Sequence, residues 1–390
     1  MANLSVDVAI VGGGIVGSCV AFFLRDQGFT GTVSVFEKDS SYQFASTTRS
    51  AASIRQQFTT PVNVQMSQFS FDFLDEMPER FGPDGEIALV HSAYLLLADA
   101  GREEMLRSAH QRFIDLGSKV AWLDPDALSA RFPYLYTGDL VGGTLGLERE
   151  GWFDAHMLLR ALRQQAIRQG VKYVEAEVVG FDRVGSRITA LTTSTGATVG
   201  CGLVVNAGGP FAGQIAGLAG CELPVEPRKR TLFVIQAALA RAGMPFIFDV
   251  SGAEIRPEGD RFICGAYPAA DRDPNPGADF EPDHYLFEQR VWPALAHRIP
   301  ALDKLRLERA WCGHYDMNLF DHNGVIGRHP DLENFILANG FSGHGVMHAP
   351  ATGRGVAELI VYGRYVSLDL SDLSYERIAA NRPMVEQLVY

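Results

Sequence analysis

The sequence predicts an α/β fold, α+β over the whole chain, with one domain on a parallel sheet and a second on a mixed sheet. Three observations predict it. Val6 to Val11 is an apolar run of strand length that stops at Gly12, Gly13 and Gly14. Ile15 to Gln27 then sets Val16, Val20, Phe23 and Leu24 at helical spacing, Gly28 ends the pattern, and Thr32 to Phe36 reads as a second strand. That is a βαβ unit. Far downstream, Arg228 to Tyr267 is strand-rich instead.

The remaining elements follow in order. Phe44 to Phe58 is a polar segment rich in Ser, Thr and Arg. Asn63 to Phe81 reads as a helix, His91 to Ala98 as a strand and Glu103 to Leu116 as a helix, and Asp124-Pro125 has the form of a helix start. Asp154 to Gln169 reads as a helix leading into strand Val171 to Ala176. A hairpin turns at Gly185-Ser186, and strand Leu203 to Asn206 runs into Ala207-Gly208-Gly209. Asp271 to Asp283, rich in Pro, Asp and Gly, reads as a surface loop. Phe335 to Ala338 is the last strand, Asn339 to Gly345 a glycine loop, and Ala349 to Tyr362 the closing helix.

A chain of 390 residues, 47% hydrophobic, buries a large core and exceeds one ordinary domain. Net charge is −12, and the basic residues form no stripe, so nucleic acid is not an expected partner. Cys19, Cys201, Cys221, Cys264 and Cys312 are dispersed, without a CxxC pair, which speaks against a disulfide framework and for a reducing, cytoplasmic setting. The N-terminus lacks a basic segment before its apolar run, and no stretch has the length of a membrane span. There is no HExxH or paired His/Cys spacing for a metal, and no GxSxG elbow.

Gly12 to Gly17 is a GxGxxG between strand and helix. Gly12 permits the turn, Gly14 lets backbone approach a pyrophosphate, and Gly17 lets the helix pack closely. The helix start at Ile15 and Val16 then faces the phosphates. Glu37, followed by Lys38, ends the second strand roughly 20 residues on, where an acid holds a ribose hydroxyl. The reading is a Rossmann-like FAD/NAD(P)-binding domain; the plainer alternative is an ordinary glycine-rich turn. The motif does not separate FAD from NAD.

Four further segments resemble the D-amino-acid-oxidase superfamily of FAD-dependent oxidoreductases. Ser46-Thr47-Thr48-Arg49-Ser50-Ala51-Ala52 resembles its segment that wraps pyrophosphate and flavin. Val204 to Gly209 resembles its strand and turn near the adenosine half of the cofactor, and Asp321 to Gly327 its late strand-entering motif. Gly340-Phe341-Ser342-Gly343-His344-Gly345 resembles the GFSGHG loop of the sarcosine oxidase and sarcosine dehydrogenase branch. Trp311-Cys312-Gly313 and Phe320 to Gly327 also resemble a mitochondrial relative that assists assembly of respiratory complex I. The resemblance spans nearly the whole chain. It implies an FAD-binding domain from 1–85, 146–215 and 324–364, a substrate-binding domain from 86–145 and 216–323, and a tail over 365–390. It also adds Val178, Ala207, Gly208 and Gly313 to the cofactor-binding residues.

Where this branch links FAD covalently through a histidine, Ser50 stands here; where it uses a cysteine, alignment on Tyr315 puts Gly313, with Cys312 one residue off. Both departures imply non-covalent FAD. The glycine loop suits a flavin clamp, with the following helix directing its positive end at the flavin, and His344 is a candidate for proton transfer; the alternative is a helix cap with a structural His344. By resemblance Arg55, Arg230 and Arg256 are candidates to hold a substrate carboxylate, each with the alternative of an ion-paired surface arginine. Glu254 and Tyr315 are candidate pocket walls, Glu254 to receive an ammonium group. Met347 stands where sarcosine oxidases carry a carboxylate-gripping lysine, which implies a bulkier or more apolar substrate than sarcosine.

The implied activity is hydride transfer from the carbon beside an amine of an amino acid to FAD, followed by imine hydrolysis and reoxidation by oxygen or another acceptor. The alternatives are a weakly catalytic flavoprotein that assists assembly of a larger complex, and an FAD-dependent hydroxy-acid dehydrogenase.

Overall fold

The computed structural model describes residues 5–388. Strand Ser5–Val11 sits at the centre of an eight-stranded sheet. Val33–Glu37 pairs with it on one side and Thr198–Asn206 on the other, both parallel. Lys172–Glu175 and Phe335–Asn339 extend the sheet in parallel, and Val325–Arg328 closes one end antiparallel. Val8, Ala9 and Ile10 are essentially sealed from solvent, as a continuous apolar run in a parallel sheet covered on both faces requires.

Helices Ile15–Asp26 and Gly345–Val361 touch so closely that a Cβ on Gly353 would lie 2.5 Å from the Cβ of Cys19. Phe22 and Phe23 meet Phe73 of helix Pro61–Phe81 with ring centroids 6.0 and 5.1 Å apart. The helices around the dinucleotide strand are thus locked together; Phe23 is one of the residues at the helical spacing, whereas Cys19 and Phe22 are not.

The second sheet, also eight-stranded, begins at its edge with Arg306–Asn318, then Val225–Gln236, Arg261–Ala266, Ala253–Glu258 and Phe246–Phe248, and continues into Tyr94–Ala98, Gly142–Gly146 and Val120–Leu123. Its register sets Arg230 opposite Gly313, Arg228 opposite Tyr315 and Glu254 opposite Gly265. A small sheet of Ser53–Ile54, Glu150–Trp152 and Val90–Ser92 lies apart from both.

Two expected elements differ. The His91 to Ala98 strand is two strands, Val90–Ser92 and Tyr94–Ala98, in separate sheets. At the break the buried Glu150 carboxylate accepts the Tyr94 amide at 2.8 Å, an interaction the local pattern cannot announce. The closing helix starts at Gly345, not Ala349, and Pro350 lies inside it. A proline near a helix start forgoes one backbone bond, so it marks the opening turns and not the first residue. Among the described residues no helix is long and apolar enough to cross a membrane.

Candidate functional site

An elongated cleft of about 1050 Å³ runs along the carboxyl ends of the parallel strands, where ligands bind in open α/β sheets. Glu37, Lys38 and Glu177 line one end, Gly12, Gly14, Ile15, Val16, Ser46 and Thr47 the middle, and Tyr315, Phe341, Gly343 and Gly345 the other. Ser50, Ala207 and Gly208 also line it.

The middle is cut for a close backbone approach. A Cβ on Gly12 would lie 2.3 Å from the Ala207 carbonyl oxygen, and one on Gly17 2.0 Å from that of Gly12. A Cβ on Gly14 would meet only Thr47 Oγ1, at 3.3 Å, and would otherwise point into the cleft. The Ile15 amide donates to Thr47 Oγ1 at 3.1 Å, so the helix start, whose amides suit a phosphate, and the Ser/Thr segment meet at the cleft wall. At the far end the Glu37 carboxylate is braced by the amides of Gly13 and Asp39, at 2.8 and 2.9 Å. The Lys38 ammonium lies 3.5 Å from the Phe211 ring centre.

The 340–345 loop is held by Asp316, which the sequence reading missed. Its carboxylate accepts the amides of Gly340 and Phe341 at 2.8 and 3.1 Å, and its carbonyl that of Ser342 at 3.1 Å. Burial pushes the Asp316 carboxyl up to about 6, against the pull of the Phe341 and Gly340 amides. No local signal marks it, because strand Arg306–Asn318 also carries Arg306, Glu308 and Arg309, and the amides that Asp316 binds lie in another segment. Gly343 has φ of 101°, and a Cβ there would strike the Tyr315 ring at 2.4 Å. The glycine thus lets the loop lie on the tyrosine. Gly340 and Ser342 shape the loop from behind, without lining the cleft; the Ser342 hydroxyl accepts the Asn318 amide at 3.0 Å. His344 precedes the first helical residue and packs edge-on to Phe58, 4.8 Å between centroids. Burial and the nearby Arg55 charge hold it well below the usual histidine range, hence neutral.

A second, small cavity shares Ser46, Ser50, His314 and Tyr315 with the cleft and extends to Arg230, Glu254, Tyr267 and Gly313 on the mixed sheet. Burial pushes the Glu254 carboxyl up to about 7, with Arg256 and Arg55 pulling the other way. Burial likewise raises Tyr267 to about 12 and Tyr315 well above the usual phenol range, so both stay protonated.

The three arginines part company. Arg230 lines the cavity, with its guanidinium 4.2 Å from the Tyr267 ring centre and 5.2 Å from that of Tyr315. Arg256 lies outside the cavity: it bonds the Ala51 carbonyl at 2.7 Å and pairs with Glu258. These structural partners, the Ala51 carbonyl and Glu258, take the place of a substrate. Arg55 also lies outside, donating to the carbonyls of Gln57 and Leu388 and lying 4.0 Å from the Phe58 ring centre. The tail residue Leu388 has no counterpart in the local pattern around Arg55. Met347 packs in the main apolar core and not on the cavity wall, because the helix starts early and turns it inward.

Three cofactor candidates also serve as scaffolding. Arg49 stitches the wrapping segment to the second sheet, donating to the carbonyls of Gln43 at 2.7 Å and Cys312 at 2.8 Å. Thr48 donates to the Tyr42 and Ala45 carbonyls within its own turn. Val178 is buried in a core beside the lining residue Glu177. Cys312 is buried outside both cavities, and burial raises its thiol to about 11, so no thiolate is presented for attachment. The residues fit FAD: Glu37 and Lys38 would hold the adenosine end, Gly14 to Val16 with Ser46 and Thr47 the pyrophosphate, and Tyr315, Phe341, Gly343 and Gly345 would meet the flavin. Among the described residues no group of three or more His, Cys, Asp or Glu is arranged to hold a metal.

A family profile described as "DAO: FAD dependent oxidoreductase" matches residues 7–359. The chain is 38% identical to FAD-dependent oxidoreductase domain-containing protein 1 of Xenopus laevis, over 98% of this chain and 84% of that protein. It is 27% identical to glycine oxidase of Geobacillus kaustophilus, over 95% and 97% of the two chains. The crystal structure of L-proline dehydrogenase from P. horikoshii superposes with a TM-score of 0.87 at 27% identity, covering 98% of this chain and all of that one.

Proposed function

We propose, on the premise that this chain belongs to the DAO family of FAD-dependent oxidoreductases, that it oxidises the C–N bond of an amino acid or N-substituted amino acid. On this reading 1–85, 146–215 and 324–364 carry the cofactor, and 86–145 with 216–323 cover it. FAD, when bound, supplies the acceptor for the departing hydride.

The chain's own residues do the rest. Glu254, with its carboxyl near 7, takes the proton of the substrate ammonium, which frees the nitrogen lone pair that drives the hydride off. Arg230 receives the carboxylate with a fork no lysine offers. Tyr267 and Tyr315 wall the pocket with apolar rings and exclude water, so both charged contacts act at low dielectric. The imine leaves and hydrolyses in water, and oxygen or another acceptor takes the electrons.

The observation that carries this reading is the pairing of one carboxylate, Glu254, and one guanidinium, Arg230, in a single small cavity opening beside Tyr315 on the cofactor cleft. Such a pair matches a zwitterion. Glycine and proline, after which two of the similar proteins are named, both carry nitrogen on the carbon that bears the carboxylate. The test is anaerobic: primary, N-methyl and cyclic amino acids, and 2-hydroxy acids, are mixed with the flavin-loaded protein. Bleaching by at least one amino acid and by no hydroxy acid is expected; bleaching by hydroxy acids alone, or by neither class, overturns the reading.

A further inference from the structure

Arg230 reaches the cavity already holding a carboxylate. Its two terminal nitrogens donate to both oxygens of Asp273, at 2.8 and 2.9 Å, in the forked geometry that a substrate carboxylate would adopt. Asp273 comes from the Pro/Asp/Gly-rich loop before helix His284–Leu286. Among the described residues, apart from two neighbouring-turn bonds, Arg272 N–H to the Ala269 carbonyl and Asp279 N–H to the Pro276 carbonyl, these are the hydrogen bonds that tie Asp271 to Ala278 to the rest of the fold; the Arg272 guanidinium also lies 4.5 Å from the Tyr285 ring centre. The later part of the loop is pinned independently. Lys229 pairs with Asp279 at 2.7 Å, Thr231 Oγ1 accepts the Asp283 amide at 3.1 Å, and Phe280 stacks on His314 at 4.0 Å. One end of the loop is therefore fixed over the cofactor cleft while the other hangs on Arg230.

The pairing at Arg230 is also incomplete. Two other buried arginines have every guanidinium nitrogen bonded: Arg298 to Asp249, Asp139 and the Tyr136 carbonyl, and Arg377 to Asp321 and four carbonyls. Arg230 keeps a buried Nε with no partner. Arg256 shares that orphan atom, but its other nitrogens meet backbone oxygens and Glu258 away from the cavity.

We propose that Asp273 is an internal stand-in for the substrate carboxylate: it holds the Arg230 fork in the resting protein, and an arriving carboxylate takes its place and frees the Asp271 to Ala278 segment. The proposal rests on the reading of Arg230 as the carboxylate subsite. The exchange serves two ends. It keeps a desolvated guanidinium from standing unpaired between two phenol rings, a state that is unfavourable in general. It also sets a threshold on affinity, since every carboxylate ligand competes with a tethered one at high effective concentration.

Benzoate and neutral benzamide serve as probes of the FAD-loaded protein, with binding read from the change in the flavin's visible spectrum. Asp273→Asn keeps the shape of the side chain and removes the competing charge. It is expected to tighten benzoate by about tenfold or more and to leave benzamide unchanged. Trypsin reports on the loop through Arg272, which is exposed. Benzoate should speed cleavage after Arg272 in the parent protein, whereas Asp273→Asn should be cleaved fast with or without it. If Asp273→Asn binds benzoate no more tightly and cleavage ignores benzoate, Asp273 is a permanent partner and the stand-in is refuted. Arg230→Met separates the two levels of the argument, with Arg230→Lys in its place should it lose FAD. Benzoate binding that is indifferent to Arg230 removes the carboxylate subsite itself, and both proposals fall. Benzoate binding that needs Arg230 but ignores Asp273 removes the stand-in alone.

Discussion

Around the cofactor cleft the contacts that matter are made by backbone. Gly12, Gly17 and Gly343 exist as glycines because a carbonyl oxygen or an aromatic ring occupies the place of their side chains. Around the neighbouring cavity the contacts are charged side chains drawn from distant segments: Arg230 and Asp273, Glu254 with Arg55 and Arg256 in its field. A backbone site is specified by short-range sequence and tolerates almost no change. A charge-built pocket is specified by register between far strands, and its ligand can be retuned without touching the fold.

The largest effect expected from this contrast is at Gly14. A valine there projects into the cleft and meets only Thr47, so FAD binding should vanish while the melting temperature of the FAD-free protein stays near that of the parent. A valine at Gly17 strikes the Gly12 carbonyl instead and should cost the fold itself. Differential scanning calorimetry and flavin content, read together, check both. If Gly14→Val keeps its FAD, the backbone site has been misplaced.

Next is Glu254. The group that accepts the ammonium proton is its ionised form, so in the parent kcat/KM should climb as pH rises through about 7 and level off above it. Glu254→Gln should lower kcat/KM by about a hundredfold and remove that climb, with FAD content unchanged. A climb that survives the substitution belongs to another group. The smallest effect is at Arg256. Its partners are the Ala51 carbonyl and Glu258, so Arg256→Met should cost stability of about 1–3 kcal/mol through the orphaned carbonyl and leave kcat/KM within a few-fold. A large loss of kcat/KM at normal FAD content would return Arg256 to the pocket.

The same contrast explains how far the sequence could be read. The βαβ unit, Glu37 at its strand end and the 340–345 loop are local patterns, and the structure sets all three along one cleft. Glu254 stood in the strand-rich stretch from Arg228 to Tyr267, and Tyr315 was named by resemblance alone. Their meeting with Arg230 was an expectation of the resemblance and not of any local pattern, because it depends on a sheet that pairs Val225–Gln236 with both Arg261–Ala266 and Arg306–Asn318. Strand Gly142–Gly146 was hidden by its glycines, which pack against Trp122 and the backbone of Leu96. Asp316 and Asp273 were invisible for one reason: each acts on a partner more than 20 residues away.

The most direct test of the amino-acid assignment compares an amino acid that bleaches the flavin with its decarboxylated amine, in stopped-flow reduction of the parent and of Arg230→Met. A desolvated charge-assisted contact is worth roughly 2–5 kcal/mol when one partner is removed. The parent should therefore reduce with the amino acid about a hundredfold or more faster, at limiting concentration, than with the amine. Arg230→Met should erase most of that preference by slowing the amino acid and sparing the amine. Equal preference in parent and variant, at normal FAD content, would contradict a carboxylate held by Arg230.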